Sequence, residues 1–438
     1  MSPSKSSSPP SSRVSSLCST SNSTDHVSIT GSSTECCSNV LSSSAPIVLS
    51  SFAPTSLPTS TVSPPTSMPL AHSIHTRSKS GFTHPDYPRH VLYAGQSAIC
   101  KSDTSMFIHR SSSGILILLL YIDDIILTGS HSSLLDHFIS HFSRQFVMKD
   151  LGDLHYFLGV QAVRSFNGLH IPQQKYISDL LLKFHMHICK PVRTLITSFT
   201  SLSIMDGELL SDPNEYKSMV GTLKYLTMTR QDIAYAINIF SLFMYAPHTT
   251  HLHCVKRIFK YLHGTITYGL FLRASSSTSF ILAYSDADWA GCLDSRRSTM
   301  GFAVFLSYNL ISWRAKKQPT ISKSSGEVEY RAIAYTVAET SWIRNILRDI
   351  RLYLRNPVHV LCDNVSSTYM YRNPVFHVRS KHINVNFHYV REKVAQGDLV
   401  VRYVPTRLQF ANIFTKGLPS SQFSFLRDNP SVMSASPD

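Results

Sequence analysis

The sequence predicts an α+β protein that follows a disordered N-terminal leader. From Met1 to about Ser80 the chain is dominated by Ser, Thr and Pro and has neither a helical nor a strand period. From Met106, short apolar runs alternate with turn residues and then give way to helical stretches. After about Thr278, strands return and alternate with helices. These observations predict a mixed block followed by an α/β unit.

Composition favours a polyanionic partner. The 438 residues, enough for two or three domains, include 41 Lys and Arg against 27 Asp and Glu, for a formal net charge of +14. Nucleic acid is the first candidate, and an anionic membrane surface is its competitor. Asp123 and Asp124 interrupt the long apolar run from Gly114 to Leu127, which is too short to span a bilayer. We therefore interpret the run as buried strands and expect no membrane partner.

Cysteine usage indicates a reducing compartment. The eight cysteines lack the C-x-x-C pairs of a zinc site and the density of a secreted scaffold. No basic segment followed by an apolar stretch opens the chain, so we expect a cytoplasmic or nuclear protein that is not secreted. The Ser-rich start also fits a plastid transit peptide, as it fits any disordered Ser/Pro tract.

The block after Met106 predicts a hairpin, two further strands and helices. Met106–Arg110 and Ile115–Leu127 are strand-like, and apolar residues from Leu134 to Phe142 recur at helical spacing. The Asn167-Gly168 turn is expected to join strands at 157–162 and 169–171. Further helices are predicted from Tyr176 and over 214–227, 232–244 and 251–262.

The last block predicts strands that feed a long helix. Strands are expected at 280–284, 299–305, 310–314, 358–362 and 399–404, and helices at 326–352 and 383–395, with a short helix after 362 and a terminal helix. Together they form one α/β unit of ordinary domain size.

The first chemical constellation is Tyr121-Ile122-Asp123-Asp124, which lies between two apolar strand segments. Adjacent buried carboxylates are costly unless a metal or a tight turn compensates them. In a polymerase palm, carboxylates at a hairpin tip hold Mg²⁺ ions that contact nucleotide phosphates. The alternative is an ordinary Asp-Asp turn.

Three segments decide between these interpretations: Leu118–Gly129, Met148–Val160 and Tyr216–Ala236. Together they resemble the reverse transcriptase of copia-type LTR retrotransposon Pol polyproteins. The resemblance implies a linker over 1–97, a partial palm and thumb start over 98–192, and a helical thumb and connection over 193–277. It also implies that the fingers and the first half of the palm are deleted between Arg77–Gly81 and about Ala98.

A polymerase of this type needs a third carboxylate from an earlier palm strand. Between Glu35 and Tyr121 the only acids are Asp86 and Asp103. Prolines on both sides of Asp86 argue against a central strand, and Asp103 matches a family segment that is not a metal site. We therefore expect Asp123 and Asp124 to be a polymerase remnant without DNA synthesis.

The second constellation consists of Asp286, Glu329 and Asp363, at two strand ends and a helix start. Carboxylates at such positions can converge on one pocket, as two-metal phosphodiester hydrolysis requires. Ser285–Arg314, Ser322–Ala332, Cys362–Asn364 and Lys381–Asn384 resemble the copia-type ribonuclease H. The resemblance implies a ribonuclease H-like α/β domain over 278–418, a flexible tail over 419–438, and Asp286, Glu329 and Asp363 as ligands of Mg²⁺ or Mn²⁺. It makes an RNA/DNA hybrid the expected partner.

Other acids near this constellation have lesser expected roles. Glu327 precedes Glu329 by two residues and is expected to point elsewhere and to be solvated. Asp288 is expected at the edge of the site or on the surface.

The fourth metal-ligand position of the family falls on Asn412, in the segment Tyr403–Lys416. An amide keeps an oxygen donor but no charge, so it would hold a second cation less firmly. Arg407-Leu408 replaces the family's usual basic-acidic pair, and Asn384 and Asn386 stand where acids often occur. We expect hybrid hydrolysis that is weakened rather than lost.

Other readings of the chain are weaker. The clusters His185–Cys189 and His251–Cys254 have metal-capable residues at short spacing but no evident mates for a zinc site. A decayed, non-enzymatic remnant that at most binds nucleic acid through its charge is the main alternative function. A host-recruited structural protein has no positive feature in its favour.

Overall fold

A computed structural model describes residues 70–76, 96–121, 124–146, 148–196, 202–274, 280–370, 384–428 and 432–434. These residues form a mixed α and β architecture. In that part of the chain, no helix is both long enough and apolar enough to cross a membrane.

The first sheet has six strands, in the order β2-β3-β4-β5-β1-β6. They are β1 (Leu70–Thr76), β2 (Gln96–Ile99), β3 (Met106–Ser111), β4 (Gly114–Tyr121), β5 (Asp124–Gly129) and β6 (Met148–Asp153). Helix α1 (Ser132–Gln145) follows β5 and buries Leu135 and Phe142, the apolar positions that recur at helical spacing. The predicted hairpin and helix are confirmed.

Strand β1 corrects the prediction of a continuous disordered leader. It lies between β5 and β6 and pairs antiparallel with both, and the first two residues of β2, Gln96 and Ser97, also fall inside the 1–97 range. The composition argument counted only local side chains, whereas two neighbouring strands supply backbone hydrogen-bond partners to β1. The rest of the predicted leader, 1–69 and 77–95, lies outside the described residues.

The next strands pair differently from the prediction. Short strands β7 (Tyr156–Phe157) and β8 (Val160–Gln161) form their own hairpin. The Asn167-Gly168 turn instead joins β9 (Val163–Ser165) to β10 (Gly168–Pro172). The prediction of the turn is confirmed, but its first strand was placed too early, because apolar residues of the β7–β8 hairpin resemble one continuous strand.

The predicted helices are confirmed, and one strand interrupts the helical range 193–277. The helices are α2 (Gln174–Lys183), α3 (Asn214–Leu226), α4 (Ala234–Phe240) and α5 (Thr249–His263). Strand β11 (Tyr268–Arg273) pairs with β10, a partner almost a hundred residues earlier in the chain. Such a distant partner cannot be recognised from the local pattern, although Tyr268, Leu270 and Leu272 alternate as in a strand.

A five-stranded sheet, called the third sheet from here on, has the order β14-β13-β12-β15-β16. Its strands are β12 (Ile281–Ala287), β13 (Thr299–Leu306), β14 (Asn309–Lys317), β15 (Val358–Cys362) and β16 (Leu399–Tyr403). The first three form an antiparallel meander, while β15 is parallel to β12 and β16 is parallel to β15. Helices α6 (Ser325–Asp349), α7 (Val365–Met370) and α8 (Asn384–Ala395) complete the predicted α/β unit.

The predicted flexible tail at 419–438 contains regular structure. Helix α9 (Ser420–Asp428) buries Phe423 and Leu426, and β17 (Val432–Ser434) pairs with β11. The expectation of flexibility is wrong for these segments, because Phe423 packs edge-to-face against Tyr261 of α5.

Two apolar cores enclose the third sheet. On one face, α3, α4 and α5 share a core with Tyr284 and Phe305. On the other face, α6 and α8 pack on Ala283 and Val360. The sheet is therefore fixed from both sides, which limits the movement of side chains at the ends of its strands.

The first sheet packs on the C-terminal end of α6. Cys100, Met106 and Ile108 form an apolar cluster with Ile346 and Ile350. At its edge, the Asp349 carboxylate accepts hydrogen bonds from the Ser102 amide and hydroxyl, at 3.1 and 2.9 Å. Two further hydrogen bonds connect the same parts of the chain. The Trp342 indole N–H donates to the Ser102 carbonyl at 3.0 Å, and Arg110 donates to the Asp349 carbonyl.

Candidate active site

Three carboxylates converge at one edge of the third sheet. Strands β12 and β15 are adjacent and parallel, with Tyr284 opposite Leu361. Asp286 and Asp363 each follow that pair by two residues, so both lie at the same edge of the sheet. Glu329 lies in the first turns of α6, which packs against β12. The structure thus brings together the three residues that were predicted as ligands.

Asp286 is buried and is held by two residues of the C-terminal segment. The Thr415 hydroxyl donates a hydrogen bond to Oδ2, and the Lys416 ammonium lies 3.4 Å from the same oxygen. Burial raises the pKa of Asp286, and the charge of Asp363 raises it further, against the opposing effect of Lys416. The pocket therefore concentrates negative charge, and Lys416 offsets part of it.

Glu329 and Asp363 lie close to the thiol of Cys362. A carboxylate oxygen of Glu329, Sγ of Cys362 and a carboxylate oxygen of Asp363 all lie within 4.8 Å of one another. Burial, together with the charges of Asp286 and Asp363, raises the pKa of Glu329 well above its ordinary value. A cluster of like-charged buried groups is costly unless a cation joins it.

Gly301 makes room for the segment that holds Asp286. It lies opposite Asp286 in the β12–β13 pair. A Cβ atom at this position would lie 2.5 Å from Phe414 Cβ and 2.9 Å from Thr415 Cγ2. Glycine therefore allows the 3₁₀ helix Phe410–Phe414 to approach the sheet and to place Thr415 against Asp286.

Gln409 forms hydrogen bonds with both strand ends. Its side-chain amide, which is fully buried, donates to the Ser285 carbonyl at 2.9 Å and to the Leu361 carbonyl at 3.4 Å. These bonds fix the strand ends that carry Asp286 and Asp363. Sequence reasoning missed Gln409, Thr415 and Lys416, although all three lie in the segment that identified Asn412.

Asn412 is buried in the same segment as Gln409, Thr415 and Lys416. Its Nδ2 donates to the Thr406 carbonyl at 2.9 Å. Its Oδ1 is buried and has no hydrogen-bond partner among the residues that the structure describes. A buried oxygen donor without a partner is the kind of group that a hard divalent cation can satisfy.

Asp288 lies near Asp286, which agrees with one of its two expected positions, whereas Glu327 is not the solvated acid that was expected. Burial raises the pKa of Asp288 to about 7, and its carboxylate accepts a hydrogen bond from the Thr299 amide. Glu327 is buried, pairs with Arg331 at 2.7 Å and accepts from the Lys323 amide at 2.9 Å. The expectation of a solvated Glu327 is wrong, because Arg331 follows it by one helical turn and the start of α6 attracts acids.

The first constellation lacks a complete set of ligands in the described part of the chain. Asp124 begins β5 and lies opposite Tyr121, whereas Asp123 is outside the described residues. The neighbouring strand β1 places His75 opposite Asp124 and contains no acid. Asp103 accepts hydrogen bonds from the Ser105 amide and hydroxyl, which makes it a turn residue, and Asp86 lies outside the described residues.

The histidine clusters have structural roles where their contacts are known. His251 accepts a hydrogen bond from the His248 amide at 3.0 Å at the start of α5 and stacks on Phe243. Within the described ranges, the only group of three or more metal-capable residues of the His, Cys, Asp and Glu types is Glu329, Cys362 and Asp363.

Known proteins resemble this chain over different parts of its length. A family model described as reverse transcriptase (RNA-dependent DNA polymerase) matches residues 91–198. The retrovirus-related Pol polyprotein from transposon RE1 of Arabidopsis thaliana is 44% identical over 322 residues, which are 74% of this chain and 22% of that relative. The chain therefore spans about a fifth of the length of this relative.

A shorter relative and a solved structure complete the comparison. An uncharacterized mitochondrial protein of Arabidopsis thaliana is 46% identical over 225 residues, which are 51% of this chain and 93% of that protein. The foamy viral protease-reverse transcriptase, solved in complex with double-stranded DNA, aligns with 66% of this chain and 46% of its own chain, at 13% identity and a TM-score of 0.40.

Proposed function

Because this chain belongs to the retrovirus-related Pol polyproteins of copia-type retrotransposons, we propose that its remaining chemistry is hydrolysis of the RNA strand of an RNA/DNA hybrid. The site of this reaction is Asp286, Glu329 and Asp363. DNA synthesis is not part of the proposed function.

The observation that carries the proposal is the convergence of these three carboxylates at one edge of the third sheet. Glu329 and Asp286 are buried, and the pKa of each is raised by burial and by the neighbouring carboxylates of the site. Structural ion pairs usually match opposite charges, whereas this cluster has an excess of negative charge that a divalent cation would neutralise.

Asp286, Glu329 and Asp363 would hold Mg²⁺ or Mn²⁺, with the Oδ1 of Asn412 as a weaker, neutral donor. A divalent cation at such a site supplies Lewis acidity toward a phosphodiester and lowers the pKa of water. Gln409 orients the strand ends, Thr415 holds one oxygen of Asp286, and Lys416 balances part of the charge. The net positive charge of the chain favours approach of the polyanionic hybrid.

Asn412 sets the expected strength of the activity. An amide lacks the charge of a fourth carboxylate, and here its Nδ2 is engaged by the Thr406 carbonyl. The proposed nuclease would therefore be weak at moderate Mg²⁺ concentration and more active with Mn²⁺, which binds oxygen and nitrogen donors more strongly.

Cleavage of a hybrid labelled in its RNA strand tests the proposal. The full chain should cut with Mg²⁺ or Mn²⁺, whereas Asp286→Asn should not cut. Asp179→Asn, which makes the same charge change at an exposed position of α2, should cut like the wild type. Equal cutting by Asp286→Asn would indicate a contaminating nuclease.

The competing candidate is a non-enzymatic remnant that binds nucleic acid through its charge. Lys416, which already neutralises part of Asp286, and the uncharged Asn412 favour it. Calorimetric titration with Mg²⁺ separates the two functions. Absence of both Mg²⁺ binding and cleavage would support the non-enzymatic remnant.

A further inference from the structure

The carboxylate pocket contains a thiol that the proposed hydrolysis does not use. Cys362 is the last residue of β15 and is fully buried. Its Sγ lies 3.8 Å from Oε2 of Glu329, and it shares the cluster with a carboxylate oxygen of Asp363. A sulfur atom and oxygens from two carboxylates therefore face one another in a single pocket.

The Cys362 thiol is hydrogen-bonded inside the pocket. It donates to Oε2 of Glu329 at 3.8 Å and to the Asn364 carbonyl at 3.9 Å, and its Sγ accepts from the Asn364 backbone N–H at 3.4 Å. The atoms are close enough for a cation of the size of Zn²⁺, because bonds of about 2.0–2.3 Å to sulfur and oxygen place ligand atoms roughly 3.5 Å apart. Ligand atoms that lie up to 4.8 Å apart must approach one another by about 1 Å to reach that separation.

We infer that Glu329, Cys362 and Asp363 form a site for a thiophilic divalent cation of the Zn²⁺ and Cd²⁺ class. Sulfur ligands select such cations over Mg²⁺, which prefers oxygen donors. On binding, the thiol loses its proton to solvent and the thiolate and two carboxylates coordinate the ion, leaving a fourth position open to water. Because Glu329 and Asp363 are shared, Zn²⁺ would exclude Mg²⁺ from the carboxylates and inhibit the proposed nuclease.

This inference rests on the proposed function for its inhibitory effect, but metal binding itself is measured without RNA. The two can therefore fail separately. Cleavage without thiolate coordination would support the nuclease and exclude the thiophilic site. Thiolate coordination without cleavage would support the thiophilic site and exclude the nuclease.

Titration of the metal-free full chain with Cd²⁺ tests the site. The sulfur-to-cadmium charge-transfer absorbance reports coordination by thiolate, and calorimetry gives the affinity. Cys362→Ser should lose the high-affinity part of this absorbance and bind Cd²⁺ at least about ten-fold more weakly. Cys254→Ser, which removes a partly buried thiol of α5, should behave like the wild type.

A second variant keeps the test informative if Cys362→Ser fails to fold. Asp363→Asn retains the thiol and alters a partly exposed side chain, and it should also weaken Cd²⁺ binding at least about ten-fold. Unchanged Cd²⁺ affinity in Asp363→Asn, or full charge-transfer absorbance in folded Cys362→Ser, would overturn the inference.

Discussion

The ammonium group of Lys416 lies 3.4 Å from Oδ2 of Asp286 and 3.5 Å from Oδ1. Asp286 is 1% exposed, whereas the Lys416 side chain is 39% exposed. The lysine therefore brings a solvated charge to the edge of a buried carboxylate cluster. In the metal-free protein it offsets part of the repulsion between Asp286, Asp363 and Glu329.

Lys416→Gln should destabilise the metal-free protein and increase its response to Mg²⁺. Without the ammonium, the cluster loses its nearby cation, so the unfolding midpoint in EDTA should fall by about 2 °C or more. Mg²⁺ no longer competes with Lys416 and should recover most of this loss. Thermal unfolding with and without Mg²⁺ measures both effects. Lys323→Gln is the matched control, and an equal response of the two variants to Mg²⁺ would contradict the assigned role.

Asp288→Asn should flatten the pH dependence of stability. Burial raises the pKa of Asp288 from 3.8 in an unfolded chain to about 7. Its contribution to stability is therefore present below pH 3.8 and is lost as the pH rises through about 7. The variant has no carboxyl group to ionise, so its unfolding midpoint should fall less between about pH 4 and about pH 8. Parallel curves for wild type and variant in EDTA would refute the assignment.

Asp349→Ala should loosen the packing of the first sheet on α6. The substitution removes the acceptor of the bonds from Ser102 and from the Cys100 thiol. Amide hydrogen exchange in β3 and β4 should rise, while exchange in β12 should stay unchanged. Asp349→Asn keeps an acceptor oxygen, so its exchange rates in β3 and β4 should lie between those of the wild type and those of Asp349→Ala. Unchanged protection of β3 in Asp349→Ala would show that the apolar cluster alone holds the sheet.

The hydrogen bond from the Cys100 thiol is the largest effect that holds the pKa of Asp349 below its ordinary value. The contribution of Asp349 to this packing is therefore present above about pH 3.8 and is lost as the pH falls through its lowered pKa.

Primer extension on an RNA template should be absent. Strand β1, the neighbour of the strand that carries Asp124, contains no acid, and the acids of the next strand, Asp150 and Asp153 of β6, are separated from Asp124 by β1. The full chain and an Asp123→Asn/Asp124→Asn variant should give the same background. Extension above that variant would show that another carboxylate completes the polymerase site.

The sequence predicted the elements of the third sheet and the three carboxylates because each depends on a local pattern. Asp286 and Asp363 end apolar strands, and Glu329 begins a helix, so chain position alone indicated convergence. Contacts between distant segments could not be predicted in this way. Strand β1 depends on β5 and β6 for its partners, and the contact of Lys416 with Asp286 depends on the space left by Gly301.

The burial of Glu327 shows the same limit. Its sequence position suggested a solvated acid near a helix start, but Arg331 and the Lys323 amide satisfy both carboxylate oxygens. The thiol of Cys362 was also set aside, because no pattern of cysteines accompanied it. Its significance comes from two carboxylates that only the fold brings near.

Hybrid cleavage by Asn412→Asp is the measurement that bears most directly on whether this site is a weakened nuclease. Aspartate restores the missing charge and cannot donate to the Thr406 carbonyl, so its carboxylate is free to turn toward the cluster. The rate of RNA-strand cleavage with Mg²⁺ should rise about ten-fold or more over the wild type, and adding Asp286→Asn should abolish it. No cleavage by folded Asn412→Asp, or equal cleavage when Asp286→Asn is added, would contradict the assignment of this site as a weakened nuclease.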